Sequence, residues 1–388
     1  MKAMMTKMRA ATETEGQRVV LISGHHDYRT AKRASIHQVA DALTGCGFDV
    51  SFISTRFSWL SRYAAKDSRL FLWDKANRVE VVNGISCLLW RTSLHPFHSN
   101  NRLADAVLGR LFAAYANLPN AHFDRLVTGA DYLIIEAGIP AIYLRRLRRL
   151  NPTAKIICYC TDRPDVVGTH PFVRQKLTED QHLVDYFVLR SRAMADYFSF
   201  VPGRLYYAGY GINRGEFEGI GPSPYRNGGK TAVSVGSMLF DESFFDVAAP
   251  AFRDLQFHVI GADAEVEAAP NLHTHPEMPY ADTLPFVKHA SIGVAPYRPA
   301  PGGEYLADSS LKLAQFEYFG MPAVCPHFAV GRSSTRVGYE PGDPQSIRDA
   351  VETALTLVGK VEPRDFPDWS EVAMRILQPT AYPDTALD

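Results

Sequence analysis

Between Tyr305 and Pro326 the sequence reads YLADSSLKLAQFEYFGMPAVCP. Ser309 and Ser310 stand where a helix would start, Lys312 falls in its first turn, Gln315 and Phe316 follow, and Gly320 with Pro322 closes it before a short apolar strand, Ala323 to Cys325. Unpaired amides and the positive end of the dipole favour an anion at such a start, and the serine hydroxyls and lysine ammonium add donors, so the segment predicts a phosphate site. An ordinary capped helix is the plainer alternative. A second stretch, CTDRPD, follows an apolar run from Lys155 to Tyr159 and places Asp162 at the carboxyl end of a strand, with Asp165 close behind. A carboxylate there suits proton removal from a hydroxyl, and N-capping of the next helix is the alternative.

His25, His26, Asp27, Arg29 and Arg33 come just after the first apolar strand, the position of a glycine-rich dinucleotide fingerprint in a dehydrogenase. That fingerprint is absent. Arginines here match carboxylate or phosphate in bidentate fashion, so the cluster is expected to meet a substrate anion unless it is a solvated loop. Arg56, Phe57, Trp59, Leu60, Arg62, Tyr63 and Lys66 interleave bases with apolar groups, as does the run Tyr143, Leu144, Arg145, Arg146, Leu147, Arg148 and Arg149. Such runs suit an anionic bilayer surface, and the absence of any nucleic-acid motif argues against a nucleic-acid partner.

The elements that must hold these residues alternate. Apolar runs at Arg18 to Ser23, Phe48 to Ile53, Ser86 to Trp90, Tyr132 to Ile135, Lys155 to Tyr159 and Tyr186 to Leu189 are separated by helix-length segments, which predicts a parallel sheet covered by helices over residues 17–210. Glycines and prolines accumulate across residues 211–230, read as a linker. A second set over residues 231–367 has strands at Thr231 to Val235, Gln256 to Ile260, Ser291 to Ala295 and Ala323 to Cys325. Residues 368–388 read as a helix and tail returning to the first domain, and residues 1–16 as a flexible lead-in. The fold class is therefore α/β, two doubly wound domains facing a cleft, with ligands expected at the carboxyl ends of the strands.

The 388 residues exceed what one core usually fills, and 46% hydrophobic with 21% charged residues match a folded globular chain without a span. Five cysteines with no zinc or disulfide spacing suit a reducing compartment. The net charge of −1 hides an asymmetry: residues 1–200 carry 27 basic and 18 acidic side chains, the remainder 14 and 24. A basic half suggests an anionic partner.

The Tyr305–Pro326 segment resembles the donor-binding helix of GT-B glycosyltransferases. With GSMLFD from Gly236, FHVIG from Phe257, HPEM from His275, KHASIGVAPY from Lys288 and HDYRT from His26, the chain resembles the GumK family of glucuronosyltransferases after residue 17. The resemblance implies that Met238 packs on a nucleoside, Glu277 and Met278 meet uracil and ribose, Tyr297 lines the donor pocket, and Ser309, Ser310 and Lys312 hold the diphosphate. Gln315 stands where a ribose-binding glutamate is usual, and Asp162 takes the position of the catalytic base. It further implies inverting transfer of glucuronate from UDP-glucuronate to a polyprenyl-pyrophosphate-linked oligosaccharide in exopolysaccharide synthesis, by a peripheral enzyme on the cytoplasmic face of the inner membrane. No metal or other cofactor is expected, since Lys312 and the helix start can neutralise the leaving group and no Asp-x-Asp motif is present. A UDP-sugar 2-epimerase of the same fold and a non-catalytic sugar-nucleotide or membrane-binding module are the alternatives.

Overall fold

The computed structural model describes residues 16–31, 33–63, 67–95, 97, 101–166, 169–225, 228–262 and 269–387. The lead-in through residue 15, and Lys66 of the basic-aromatic run, lie outside the described residues. The chain divides into two units: one runs to Ala208 and resumes at Trp369, the other is Gly209–Asp368.

The first unit is built on the strands β1 (Arg18–Ser23), β2 (Asp49–Ser58), β3 (Val79–Val82), β4 (Ile85–Thr92), β5 (Tyr132–Glu136), β6 (Lys155–Cys160), β7 (Tyr186–Leu189), β8 (Leu205–Tyr207) and, after the second unit, β15 (Ala386–Leu387). Their order is β15-β8-β7-β6-β5-β1-β2-β4-β3. All neighbours are parallel except β3 with β4 and β15 with β8. Val19 to Ile22, Leu133 to Ile135 and Ile156 to Cys160 are fully buried, because a parallel strand covered on both faces has no polar side to alternate with. The helix Ser35–Gly45 packs against the helix Trp369–Leu377, so the last stretch of chain covers the first unit. Strand order reverses between β5 and β1, and the crevice at such a switch point is the usual ligand position.

The second unit holds β9 (Thr231–Val235), β10 (Gln256–Ile260), β11 (Leu272–His275), β12 (Ile292–Val294), β13 (Ala323–Pro326) and β14 (Arg336–Tyr339). They form a parallel sheet ordered β11-β10-β9-β12-β13-β14, with its switch point between β9 and β12. Residues 211–230, expected as a linker, carry the helix Arg214–Glu218 and belong with this unit. Ile212 is bridged to Asp368, and Phe217 packs on Tyr318 and Phe319 at ring distances of 4.8 and 5.2 Å.

Candidate functional site

The loops after β9 and β12 meet at the second unit's switch point. Phe240 bridges Tyr297, the Asp241 amide donates to the Pro296 carbonyl at 2.9 Å, and Arg298 donates to Leu239 at 2.6 Å. Tyr297 is thereby fixed and buried, whereas Met238 lies 43% exposed on the same loop, outside the core. The Tyr297 hydroxyl bonds Ser310 Oγ, and Ser310 Oγ also accepts from the Leu313 amide at 3.3 Å, capping the helix Leu311–Tyr318. Two glycines seat that helix. A Cβ on Gly293 of β12 would fall 2.3 Å from the Phe316 ring, so only glycine lets the helix lie this close to the sheet. Gly320 ends it at φ 63°, where a Cβ would meet the Val361 carbonyl at 2.9 Å.

Lys312 projects from the first turn of this helix, 9% exposed. Among the described residues its Nζ has no hydrogen-bond partner, and it lies 5.1 Å from the Tyr297 ring centroid. Burial pushes its pKa from 10.5 down to about 7. A buried ammonium without a counter-ion is costly, so the arrangement is that of a receptor completed by an anion. Ser309 and Ser310 are buried beside it. The turn bearing them is held from behind by Arg336, which donates to the carbonyls of Ala307 and Ala329 at 2.5 and 3.0 Å and pairs with buried Glu317 at 2.9 Å. Gln315 Nε2 donates to the Tyr280 hydroxyl at 3.3 Å. Glu277 is exposed and Met278 half-buried in the loop after β11, and the Glu277 backbone lies against the Gly261 turn, with φ 71°. Sequence reading missed Tyr280, Glu317 and Arg336, whose parts depend on partners distant in the chain.

In the first unit Asp162 follows β6, half-buried, and accepts from Thr161 Oγ1 at 3.0 Å. Asp165 is clamped by Arg163 at 2.7 and 3.1 Å; burial would raise its pKa, but those bonds outweigh it and hold the carboxyl below its usual range. Neither aspartate caps the following helix, Pro171–Asp180, whose cap is His170 Nδ1 accepting from the Phe172 amide at 3.1 Å. Ser23 at the end of β1 donates to Glu136 at the end of β5, and accepts from the His26 amide at 2.9 Å. His26 Nε2 stands 3.9 Å from Glu136 Oε1. Glu136 was not singled out in the sequence, although an acid ending the apolar run Tyr132–Ile135 was its signal.

Several expected ligand contacts are instead internal. Asp27 is 1% exposed and Arg29 grips it through Nε and a terminal nitrogen at 2.8 and 2.9 Å while also reaching Glu80 at 3.0 Å. Arg33 pairs with Asp41 and stacks 4.9 Å over Tyr28. Both arginines are thus paired with carboxylates within the fold. Phe57 is fully buried and so does not belong to a surface patch, and the half-buried Arg56 bonds the exposed His25. Trp59 is 52% and Tyr63 87% exposed, Leu60 is half-buried, and Arg62 lies over the rings of Trp59 and Trp73 at 5.3 and 4.9 Å. The Arg145–Arg149 run is largely structural: Arg145, Arg146 and Arg148 pair with Asp180, Asp124 and Asp185.

The family model of the glucuronosyltransferase GumK N-terminal domain matches residues 21–190. The chain is also 37% identical over 371 residues, 95% of its length and 91% of the other's, to the UDP-glucuronate:glycolipid 2-beta-glucuronosyltransferase of Xanthomonas campestris pv. campestris. The chain belongs to the GumK glucuronosyltransferase family. Among solved structures, similarity extends to an alpha,alpha-trehalose-phosphate synthase (UDP-forming) from Burkholderia vietnamiensis, with 14% identity, TM-score 0.57 and 94% and 95% of the two chains covered. It extends likewise to a UDP-GlcNAc 2-epimerase from Methanocaldococcus jannaschii, with 8% identity, TM-score 0.53 and 94% and 100% covered. These likenesses show the fold of this GumK-family member, two Rossmann-like units of the GT-B type.

Proposed function

We propose that the chain transfers glucuronate from UDP-glucuronate to a lipid-linked oligosaccharide in exopolysaccharide synthesis, with inversion at the anomeric carbon. The observation that carries the donor half is Lys312, a buried ammonium without a partner at a capped helix start: a diphosphate supplies its missing charge, and Ser309 and Ser310 add donors. Met238, Tyr297, Glu277, Met278 and Gln315 line the nucleoside side. Asp162 takes the proton of the acceptor hydroxyl as its oxygen attacks the anomeric carbon and the UDP oxygen leaves from the opposite side. Negative charge grows on the leaving diphosphate during that step, so Lys312 favours the transition state without a divalent ion.

The acceptor is a glycolipid, and we place the enzyme peripherally at the cytoplasmic membrane face. No helix among the described residues is long and apolar enough to cross a membrane. Trp59, Tyr63 and Phe71, exposed at 52, 87 and 64%, with Arg62 beside them, supply shallow apolar insertion and a cation for anionic headgroups. The free cysteines suit a reducing compartment.

Incubation of the protein with a panel of UDP-sugars and bacterial membrane lipid extract, followed by mass spectrometry, tests the reading. A lipid product heavier by one glucuronate supports it. Conversion of donor to an epimer without acceptor, or donor binding with no product from any extract, overturns it.

A further inference from the structure

Near the end of β2 the ladder to β4 slips: Ser54 pairs with Leu89 and Phe57 with Arg91, which leaves an extra residue in β2 at Thr55 and Arg56. Arg56 sits there at φ 53°, a left-handed conformation that a side-chain-bearing residue adopts only at a cost. Contacts from three other segments enforce it. The Arg56 amide donates to the Tyr115 hydroxyl at 2.8 Å, Arg69 donates to the carbonyls of Thr55 and Arg56 at 2.9 and 3.0 Å, and Thr55 Oγ1 donates to the Ser23 carbonyl at 3.0 Å. Bulges and strained residues held this firmly aim a side chain, and they concentrate at functional sites.

Among the described residues, the side chain so aimed has no carboxylate bonded to it. Its guanidinium donates to His25 Nδ1 at 2.8 Å, which requires a neutral imidazole, and its Nε is buried with no partner. Among the described residues no carboxylate pairs with it. Asp67 is held by Arg69 through two bonds of 2.9 Å. Burial, and then the charge of Arg69, lower the pKa of Arg56, the opposite of what an ion pair would do. His25 is exposed, so the pair opens to solvent.

We propose that Arg56, with His25 beside it, is the receptor for an anionic group of the acceptor, a phosphate or a carboxylate carried a sugar or two beyond the hydroxyl that is glycosylated. The spacing selects the acceptor over the donor. Strands β6, β5, β1 and β2 are consecutive neighbours, so three interstrand steps of about 4.8 Å set the ends of β6 and β2 about 14 Å apart. A carboxylate on the transferred sugar lies within one ring of the bond being made at Asp162, too near to reach Arg56; a group further along the acceptor spans the distance. The inference rests on the glycosyltransferase reading with Asp162 as base.

Calorimetry on the full chain with saturating UDP, which occupies the Lys312 site, isolates this second anion site. Inorganic pyrophosphate and free glucuronate serve as probes, and whichever binds the UDP complex identifies phosphate or carboxylate as the source. Arg56→Gly suits the left-handed backbone and removes the guanidinium; it is expected to weaken that binding about 10-fold or more while leaving UDP affinity unchanged, and Arg56→Lys to fall between. In transfer assays Arg56→Gly should raise the acceptor KM more than it lowers kcat. Binding of the probe by Arg56→Gly as tight as by the wild type, or binding of neither probe by the wild type, overturns the proposal. Failure of glucuronate transfer from any donor would strike the functional reading alone, since the calorimetry needs no turnover.

Discussion

The ammonium of Lys312 lies 5.1 Å from the centroid of the Tyr297 ring and has no hydrogen-bond partner among the described residues. The same tyrosine holds Ser310, the cap of the helix that carries the lysine. One buried ring thus positions the cap and faces the cation, and the ring's negative face is a weak substitute for a counter-ion.

Replacing Lys312 by methionine should therefore separate stability from function. The variant loses a charge-assisted contact, so UDP affinity should fall about 10-fold to 150-fold, the equivalent of roughly 1.5 to 3 kcal/mol. Without ligand it should melt higher than the wild type, because an unpaired buried cation has been replaced by an apolar chain of similar length. Calorimetry with UDP and thermal melts on the same protein check both. Unchanged UDP affinity would remove Lys312 from the diphosphate site.

Proton linkage at the same residue is measurable. With its free-state pKa near 7, Lys312 is mostly neutral at pH 8.5, and a bound diphosphate favours the charged form. UDP binding should then take up close to one proton at pH 8.5 and markedly less at pH 6, where the lysine is already charged. Titrations in two buffers of different ionisation enthalpy report the uptake, and its absence in Lys312→Met assigns it.

Asp162→Asn should lower transfer by about 10² to 10⁴ with UDP affinity unchanged, because the proposed base acts on the acceptor and the proposed diphosphate site belongs to the second unit. Asp165→Asn, which weakens the clamp with Arg163, should retain most activity. The reverse ranking in steady-state assays would exchange their roles.

Transfer should persist in EDTA. If chelation stops turnover and magnesium or manganese restores it, neutralisation of the diphosphate by Lys312 and the helix start alone is wrong.

Vesicle sedimentation of the full chain should show binding to anionic membranes that salt releases. The double variant Trp59→Ser with Phe71→Ser should bind less at every salt concentration, since both side chains are largely exposed and contribute apolar area. Equal binding by variant and wild type would place the membrane contact elsewhere.

The central strands were legible because a parallel strand buried on both faces is a continuous apolar run, as in Val19–Ile22 or Ile156–Tyr159. The edge strands β3, β11, β14 and β15, and β8 next to the edge, were not: they are short and half polar, as LHTH in β11 shows. Ser310, Lys312 and Gly320 could be read as a helix start and stop because capping is local. Arg145, Arg146 and Arg148 misled for the converse reason. An arginine's sequence neighbourhood does not show whether a carboxylate from a distant element will meet it, as Asp180, Asp124 and Asp185 do here. Arg56 was placed on the surface by its neighbours, but a bulge breaks the alternation on which that inference depends.

The return of the chain at Trp369 makes the second unit an insertion within the first. Gly209–Asp368 is one uninterrupted segment and can complete its sheet as soon as it leaves the ribosome, whereas the first unit, although it begins earlier, still lacks its last strand and the helix covering Ser35–Gly45. The unit that begins first in the chain is therefore completed only by residues synthesised after the other. A fragment cut at Ala208 would expose the surface that Val372, Ala373 and Ile376 cover, so an autonomous first unit must be made by joining residues 369–388 back to 208 through a short linker.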